Sequence, residues 1–198
     1  MGTPRRVVLA TGNAGKVREL TALLAPLAIE IIPQAQLGIA CADETGDTFE
    51  ANALLKARHA ANAAGLPALA DDSGIEVDAL GGRPGVWSAR YAGPAATDAD
   101  NNALLLAELA GVPPPRRTAR YRCVIAYVRD GDDPAPLLAT GNWEGAIGSA
   151  CVGMGGFGYD PLFIPVGGTL TAAQLPAADK NAVSHRGHAL ADLVRLLR

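Results

Sequence analysis

A chain of 198 residues, 49% of them hydrophobic, is long enough to bury a substantial core without requiring two independent domains. Its 17 Lys and Arg against 20 Asp and Glu leave a formal charge of -3, which excludes the broad basic surface that duplex nucleic acid needs, so any phosphate site is local. Cys41, Cys123 and Cys151 are odd in number and form no Cys-x-x-Cys pair, which excludes a disulfide framework and a zinc ribbon and points to a reducing cytoplasm. The apolar run after Arg5 and Arg6 ends at Thr11, too short for a signal-peptide core or a membrane span.

Arg5 to Ala10 reads as a buried strand, and Thr11-Gly12-Asn13-Ala14-Gly15-Lys16 leads into an amphipathic helix carrying Val17, Leu20, Leu23 and Leu24. A second helix is expected from Thr48, its N-cap, to Ala64, stopped by Gly65 and Pro67. Ala68 to Ala70 is apolar and Asp71-Asp72-Ser73-Gly74 interrupts it. Ile75, Val77 and Ala79 then alternate with Glu76 and Asp78 as in a half-exposed strand. Asp98 to Ala110 reads as a helix closed by Gly111 and Pro113 to Pro115. Arg120 to Val128 and Leu137 to Ile147 read as long strands that could pair antiparallel. Gly153 to Pro161 is a glycine-rich loop, followed by a short strand at Leu162 to Ile164 and a final helix with Leu190, Leu193, Val194 and Leu197. There is no internal repeat. The mixture predicts a single α/β domain over 1–198 with a long central mixed β-sheet flanked by helices.

Several loops carry chemistry. A helix starting after Thr11 to Lys16 would aim free N–H groups and a positive dipole end at an anion, with Lys16 adding a charge. The spacing is not that of a Walker A loop, and an ordinary strand-to-helix turn reads the same way. Adjacent carboxylates at Asp71 and Asp72 after an apolar strand are costly to bury without a cation, and Mg²⁺ is the natural partner. Strand alternation lets only one of the two face a given ion, while an Asx-type turn opening a hairpin is the alternative. Asp43-Glu44-Thr45-Gly46-Asp47 offers either a second metal ligand or a solvated loop. Trp87 and Trp143 are expected in the core. Gly155 to Asp160, with Phe157 and Tyr159, suits stacking on a planar base or a tight turn with buried rings. Lys180, Ser184, His185 and Arg186 form a donor cluster with almost no compensating acid, as a solvated helix entrance also would.

Together these segments resemble the inosine triphosphate pyrophosphatase family, which removes non-canonical purine nucleotides such as ITP, dITP and XTP. The resemblance spans nearly the whole chain and rests on Thr11 to Lys16, Glu44-Thr45-Gly46, Ala70 to Gly74, Ser88-Ala89-Arg90-Tyr91, Gly155 to Pro161 and Ser184-His185-Arg186-Gly187, in that order. It implies that Thr11, Gly12, Asn13, Ala14, Gly15 and Lys16 hold the triphosphate, with Lys56 near the phosphates. Glu44 and Asp72 would serve Mg²⁺, Asp72 would help generate the attacking water, and Ser73 would contact substrate. Phe157 would stack on the base, Gly158, Tyr159 and Asp160 would complete that wall, and Lys180, His185 and Arg186 would read base and phosphate from the opposite side. It also implies two lobes with the nucleotide cleft between them, and a homodimer. One departure is that Glu50 stands one position away from the glutamate that commonly precedes Asn-Ala in the family, so that residue's role does not transfer to it.

The reaction so implied is attack of water at the α-phosphorus, releasing pyrophosphate and a nucleoside monophosphate. Selection would rest on the purine 6-oxygen, which a donor such as Arg186 or Lys180 fits and an adenine amino group does not. Two other readings compete: a Maf-type pyrimidine nucleotide pyrophosphatase, and a nucleotide-binding sensor that does not hydrolyse its ligand. Neither nucleic acid nor membrane is an expected partner.

Overall fold

The structure is a computed structural model that describes residues 5–25 and 29–198. A six-stranded sheet in the order β2-β1-β3-β4-β5-β6 is built from β1 (Arg5–Leu9), β2 (Ile29–Pro33), β3 (Ala68–Val77), β4 (Thr118–Val128), β5 (Leu137–Ile147) and β6 (Phe163–Pro165). β1 runs parallel to β2, with Val7 opposite Ile31, and parallel to β3, with Leu9 opposite Leu69. β6 runs antiparallel to β5, with Phe163 opposite Ile147, so the sheet is mixed as expected. Among the described residues five α-helices accompany it: α1 (Ala14–Leu24), α2 (Phe49–Ala64), α3 (Asp98–Glu108), α4 (Ala177–Val183) and α5 (His185–Leu196). No helix among the described residues is long and apolar enough to cross a membrane.

The chain divides into two compact units. The first is Met1–Asp72, Cys123–Gly141 and Arg186–Arg198, and the second is Ser73–Arg122 and Asn142–His185. Each of the long strands β3, β4 and β5 gives part of its length to each unit. The first unit closes on a core of Val7, Leu9, Leu20, Leu24, Leu69, Ile125 and Leu193. The second closes on Ile75, Leu105, Tyr121, Trp143, Leu162 and Phe163. These apolar clusters supply the burial that holds the loops of each unit in place.

α2 shows how local sequence sets an element. Thr48 Oγ1 accepts the Ala51 N–H, and Phe49, Asn52, Ala53, Ala57, Ala60 and Ala61 form one buried stripe. Gly65 then adopts the left-handed conformation that ends the helix. Ala is the best helix former and its small side chain lets the stripe lie close to its neighbours.

Several expectations are corrected. β3 continues unbroken through Asp71-Asp72-Ser73-Gly74, where an interruption or a turn was expected, because the buried carboxylates meet cations and leave the strand intact. Ala79 belongs to a 3-10 turn, Asp78–Leu80, and is not part of the strand. β2 and α4 escape the sequence reading, the former because Ile29–Pro33 is short and ends in proline, the latter because Ala177–Val183 carries almost no apolar periodicity. The short strand near residue 163 is shifted by one position from its expected bounds. Trp143 is buried as expected, whereas Trp87 is 56% exposed, with the Arg90 guanidinium 4.5 Å from its ring centroid.

Candidate active site

In the first unit, α1, α2, β3 and the start of α5 bring seven charged or polar side chains together. The side chains of Asp71 and Asp72 leave β3 on opposite faces, as strand alternation requires. Asp72 Oδ1 accepts from Lys56 Nζ at 2.8 Å, and its Oδ2 accepts from Asn52 Nδ2 at 3.4 Å. Glu44 Oε1 is 2.7 Å from the same Lys56 ammonium. Asp71, fully buried, instead meets Lys16 Nζ at 3.0 Å and Arg186 Nε at 3.2 Å, and Arg186 Nη1 reaches Glu19 at 2.8 Å.

These surroundings separate the two carboxyls. Burial pushes Asp71 upward, but Lys16, Arg186 and Lys56 together outweigh it and hold the group well below the usual carboxylate range. For Asp72 burial dominates, Lys56 and Lys16 offset it only in part, and Glu44 adds like charge, so its pKa is raised. Burial pulls Lys56 down, yet Asp72, Asp71 and Glu44 more than restore it, leaving an ammonium raised above its ordinary value. Asp71 is thus a fixed anion, and Asp72 the carboxylate displaced toward proton acceptance.

Two carboxylates from separate segments converging on one ammonium form a hard-oxygen donor pair. Mg²⁺ is usually held by one or two carboxylates together with substrate phosphates, so Glu44 and Asp72 fit such an ion. Among the described residues no group of three or more His, Cys, Asp or Glu gathers into a metal cage.

The Thr11 to Lys16 loop leads from β1 into α1. Asn13 is the N-cap of α1, and its Oδ1 accepts the N–H groups of Gly15 and Lys16 at 2.8 and 3.1 Å, so these two donors are already engaged. Thr11 Oγ1 accepts the Asn13 N–H. Gly12, Asn13 and Ala14 are exposed and Gly15 is buried. Lys16 adds a full positive charge to this loop, and Asp71 meets it.

In the second unit, Asp160 organises the glycine-rich loop. Its Oδ2 accepts the Phe157 N–H at 2.9 Å and meets Lys180 Nζ at 2.5 Å, while Tyr121 donates to Oδ1 at 3.3 Å. Gly156 has φ +71°, and a Cβ there would lie 1.9 Å from Asp160 Oδ2, so only glycine fits. Lys180 Nζ sits 5.3 Å from the Phe157 ring centroid, and Phe157 remains half-buried. Tyr159 is buried and donates to the Ser88 carbonyl at 2.9 Å, so it packs beneath the loop and does not form an open wall. His185 is buried and stacks on Tyr121 with centroids 4.6 Å apart. Ser73 is half-buried on β3.

The expected donor cluster without acid is corrected as well. Lys180 belongs to the second unit with Asp160, whereas Arg186 belongs to the first with Asp71 and Glu19. Arg186 is held by the fully buried Asp71 and by the half-buried Glu19. Asn52, Glu19, Asp98 and Asn102 take part without having been singled out from sequence. For Asn52 and Asn102 a signal existed: asparagine is a poor residue inside a helix unless its amide bonds elsewhere.

A profile of the Ham1 family matches residues 7–196. The chain is 60% identical over 194 residues to a dITP/XTP pyrophosphatase of Methylococcus capsulatus, covering 98% of this chain and 96% of that protein. It is 54% identical to a dITP/XTP pyrophosphatase of Shigella flexneri, covering 98% of each. Among solved structures it is similar to a HAM1 protein from Coxiella burnetii, with a TM-score of 0.89, 47% identity and 98% of both chains covered. A nucleoside-triphosphatase, dITP/XTP pyrophosphatase, from Mycobacterium abscessus matches with a TM-score of 0.75 and 42% identity, covering 98% of this chain and 100% of that one. With its sheet order, its paired carboxylates and these matches along nearly its full length, the chain belongs to the Ham1 family.

Proposed function

We propose that this protein hydrolyses non-canonical purine nucleoside triphosphates, of the ITP, dITP and XTP type, to the monophosphate and pyrophosphate. The observation that supports this most directly is the convergence of Asp72 and Glu44 on the Lys56 ammonium, in a chain 60% identical to a dITP/XTP pyrophosphatase. The first unit carries the phosphate chemistry. Lys16 and Lys56 supply positive charge for the triphosphate, the Thr11 to Lys16 loop lies beside them, and Ser73 follows Asp72 on the strand. The second unit carries base recognition, with the Phe157 ring as the stacking face and Gly158, Tyr159, Asp160, Lys180 and His185 shaping the loop around it.

Nucleotide pyrophosphatases generally need a divalent metal, and here Glu44 and Asp72 would hold Mg²⁺, whose bound charge polarises phosphate oxygens and offsets charge developing on them. Asp72 orients a water and accepts its proton as the water oxygen attacks the α-phosphorus. The bond from that phosphorus to the α,β-bridging oxygen breaks, and pyrophosphate departs. Lys56 keeps Asp72 in place, and Asn52 fixes the second oxygen of the same carboxylate. Burial raises the proton affinity of Asp72, and Lys56 and Lys16 offset part of that rise.

The test is pyrophosphate release from ITP, XTP, dITP, ATP and dTTP, with and without Mg²⁺. Turnover of the three non-canonical purines well above ATP, and only with the ion, is the expected result. Equal turnover of ATP removes the proposed selectivity, preference for dTTP selects a pyrimidine enzyme, and no turnover at all selects a binding protein. The same reading expects a homodimer, which light scattering measures directly.

A further inference from the structure

α3 begins with Thr97 as N-cap in a capping box with Asp100, and its first turns meet two loops of the second unit. Asp98 Oδ2 accepts the Gly158 N–H at 2.6 Å, and Asn102 Nδ2 donates to the Gly158 carbonyl at 2.9 Å. Both backbone polar groups of one residue are therefore held by side chains four apart on one helix face. Asn102, 4% exposed, also donates to the Asp98 carbonyl at 2.8 Å, which ties the two jaws of the clamp to each other. One residue earlier, the Phe157 N–H is held by Asp160. The backbone on each side of the Phe157 side chain is thus anchored, and the ring follows its backbone.

The neighbouring Asn101 performs the same service for the other loop, accepting the Ala92 N–H at 2.8 Å and donating to the Ala89 carbonyl at 3.2 Å. Consecutive asparagines inside a helix weaken it relative to alanine, by roughly half a kcal/mol each. Here that cost is offset by bonds that leave the helix and fix two loops, one of them carrying the aromatic face.

We infer that Asp98 and Asn102 are positioning residues for base recognition: by clamping the Gly158 peptide they set the Phe157 ring against the purine and so contribute to selection among bases. The inference rests on the proposed nucleotide pyrophosphatase reading. Asp98 accepts with a charged carboxylate at a short distance, the stronger class of hydrogen bond, so it is the jaw whose loss is most visible. The clamp acts on the base and not on the reacting phosphorus, so its loss weakens ground-state and transition-state binding together. It raises KM and leaves kcat nearly unchanged.

The experiment compares wild type, Asp98→Ala, Asp98→Asn and Asn102→Ala in steady-state pyrophosphate release from XTP, dITP and ATP. Asp98→Ala is expected to raise KM for XTP and dITP roughly tenfold with kcat within about twofold, and to narrow the preference over ATP. Asp98→Asn keeps an acceptor and is expected to recover most of the wild-type KM. KM does not depend on the concentration of active enzyme, so partial unfolding of the buried Asn102→Ala variant does not obscure the reading. Unchanged KM and unchanged preference in Asp98→Ala, or a fall in kcat alone, overturns the inference. Wild type that releases no pyrophosphate from any of the three overturns the parent reading instead, and is recognised before any variant is compared.

Discussion

Asp71 and Asp72 are consecutive on β3, yet their carboxylates meet different cations: Asp71 Oδ2 takes Lys16 at 3.0 Å and Arg186 at 3.2 Å, whereas Asp72 Oδ1 takes Lys56 at 2.8 Å. The strand pleat separates them, and their surroundings then drive their proton affinities apart. One residue becomes a structural anion and its neighbour the candidate base.

Asp72→Asn preserves shape and the bond to Lys56 through its amide oxygen, but removes the proton acceptor. Turnover of ITP or XTP is expected to fall by roughly a thousandfold while the far-ultraviolet circular dichroism spectrum is retained. Near-normal kcat in that variant would take Asp72 out of the mechanism.

Arg186→Met removes the partner of a fully buried carboxylate and of Glu19 together. Breaking one side of such a pair typically costs roughly 3–5 kcal/mol, because the remaining charge stays buried. A large fall in the urea midpoint is expected, with part of it recovered in the double variant Asp71→Asn/Arg186→Met, where the fully buried carboxylate is no longer charged. A midpoint unchanged in the single variant contradicts the structural role assigned to the arginine.

Gly156→Ala introduces a Cβ where the Asp160 carboxylate stands, at a backbone angle that L side chains rarely adopt. The strain is on the order of 1–3 kcal/mol and displaces the group that holds the Phe157 N–H and Lys180. KM for XTP is expected to rise severalfold and the melting temperature to fall. Thermal denaturation and kinetics on one preparation check both at once, and a variant indistinguishable from wild type refutes the assignment of Asp160 as the loop's anchor.

Tyr91 gives a pH dependence that can be read without substrate. Burial, then the hydrogen bond to Glu108 and the charge of Glu108, push its phenol from 10.0 up to about 12, against a smaller opposing effect of Arg83. A phenol whose ionisation is delayed in the folded state contributes stability that is complete below pH 10. That contribution is lost as pH rises from there toward about 12, because the unfolded chain ionises first. Tyr91→Phe is therefore expected to show a shallower decline of melting temperature across that window than wild type. Parallel declines would place the phenol at its ordinary value.

Much of the architecture was legible before folding. Thr48 and Gly65 bound α2 as caps, an alternating run marks β4, and Trp143 on β5 is in the core. These features rest on local chemistry, namely a hydroxyl that accepts an N–H, a residue without Cβ, and a period of two. Where the reading failed, the deciding contacts were distant in sequence. Asp71-Asp72-Ser73-Gly74 looks like a turn because a lone segment cannot show that Lys16, Lys56 and Arg186 compensate its charge. Lys180 and Arg186 look like one cluster because they are six positions apart, yet each is taken by a different carboxylate.

The order of the motifs along the chain was thus enough to point to the family to which it belongs. Which cation meets each aspartate, and what holds the Gly158 peptide, were decided only when the chain had folded. Hydrogen bonds and burial depend on distance in space, and separations of 16, 56 and 115 positions, as for Lys56 to Asp72, Asn102 to Gly158 and Arg186 to Asp71, leave no local trace in the sequence.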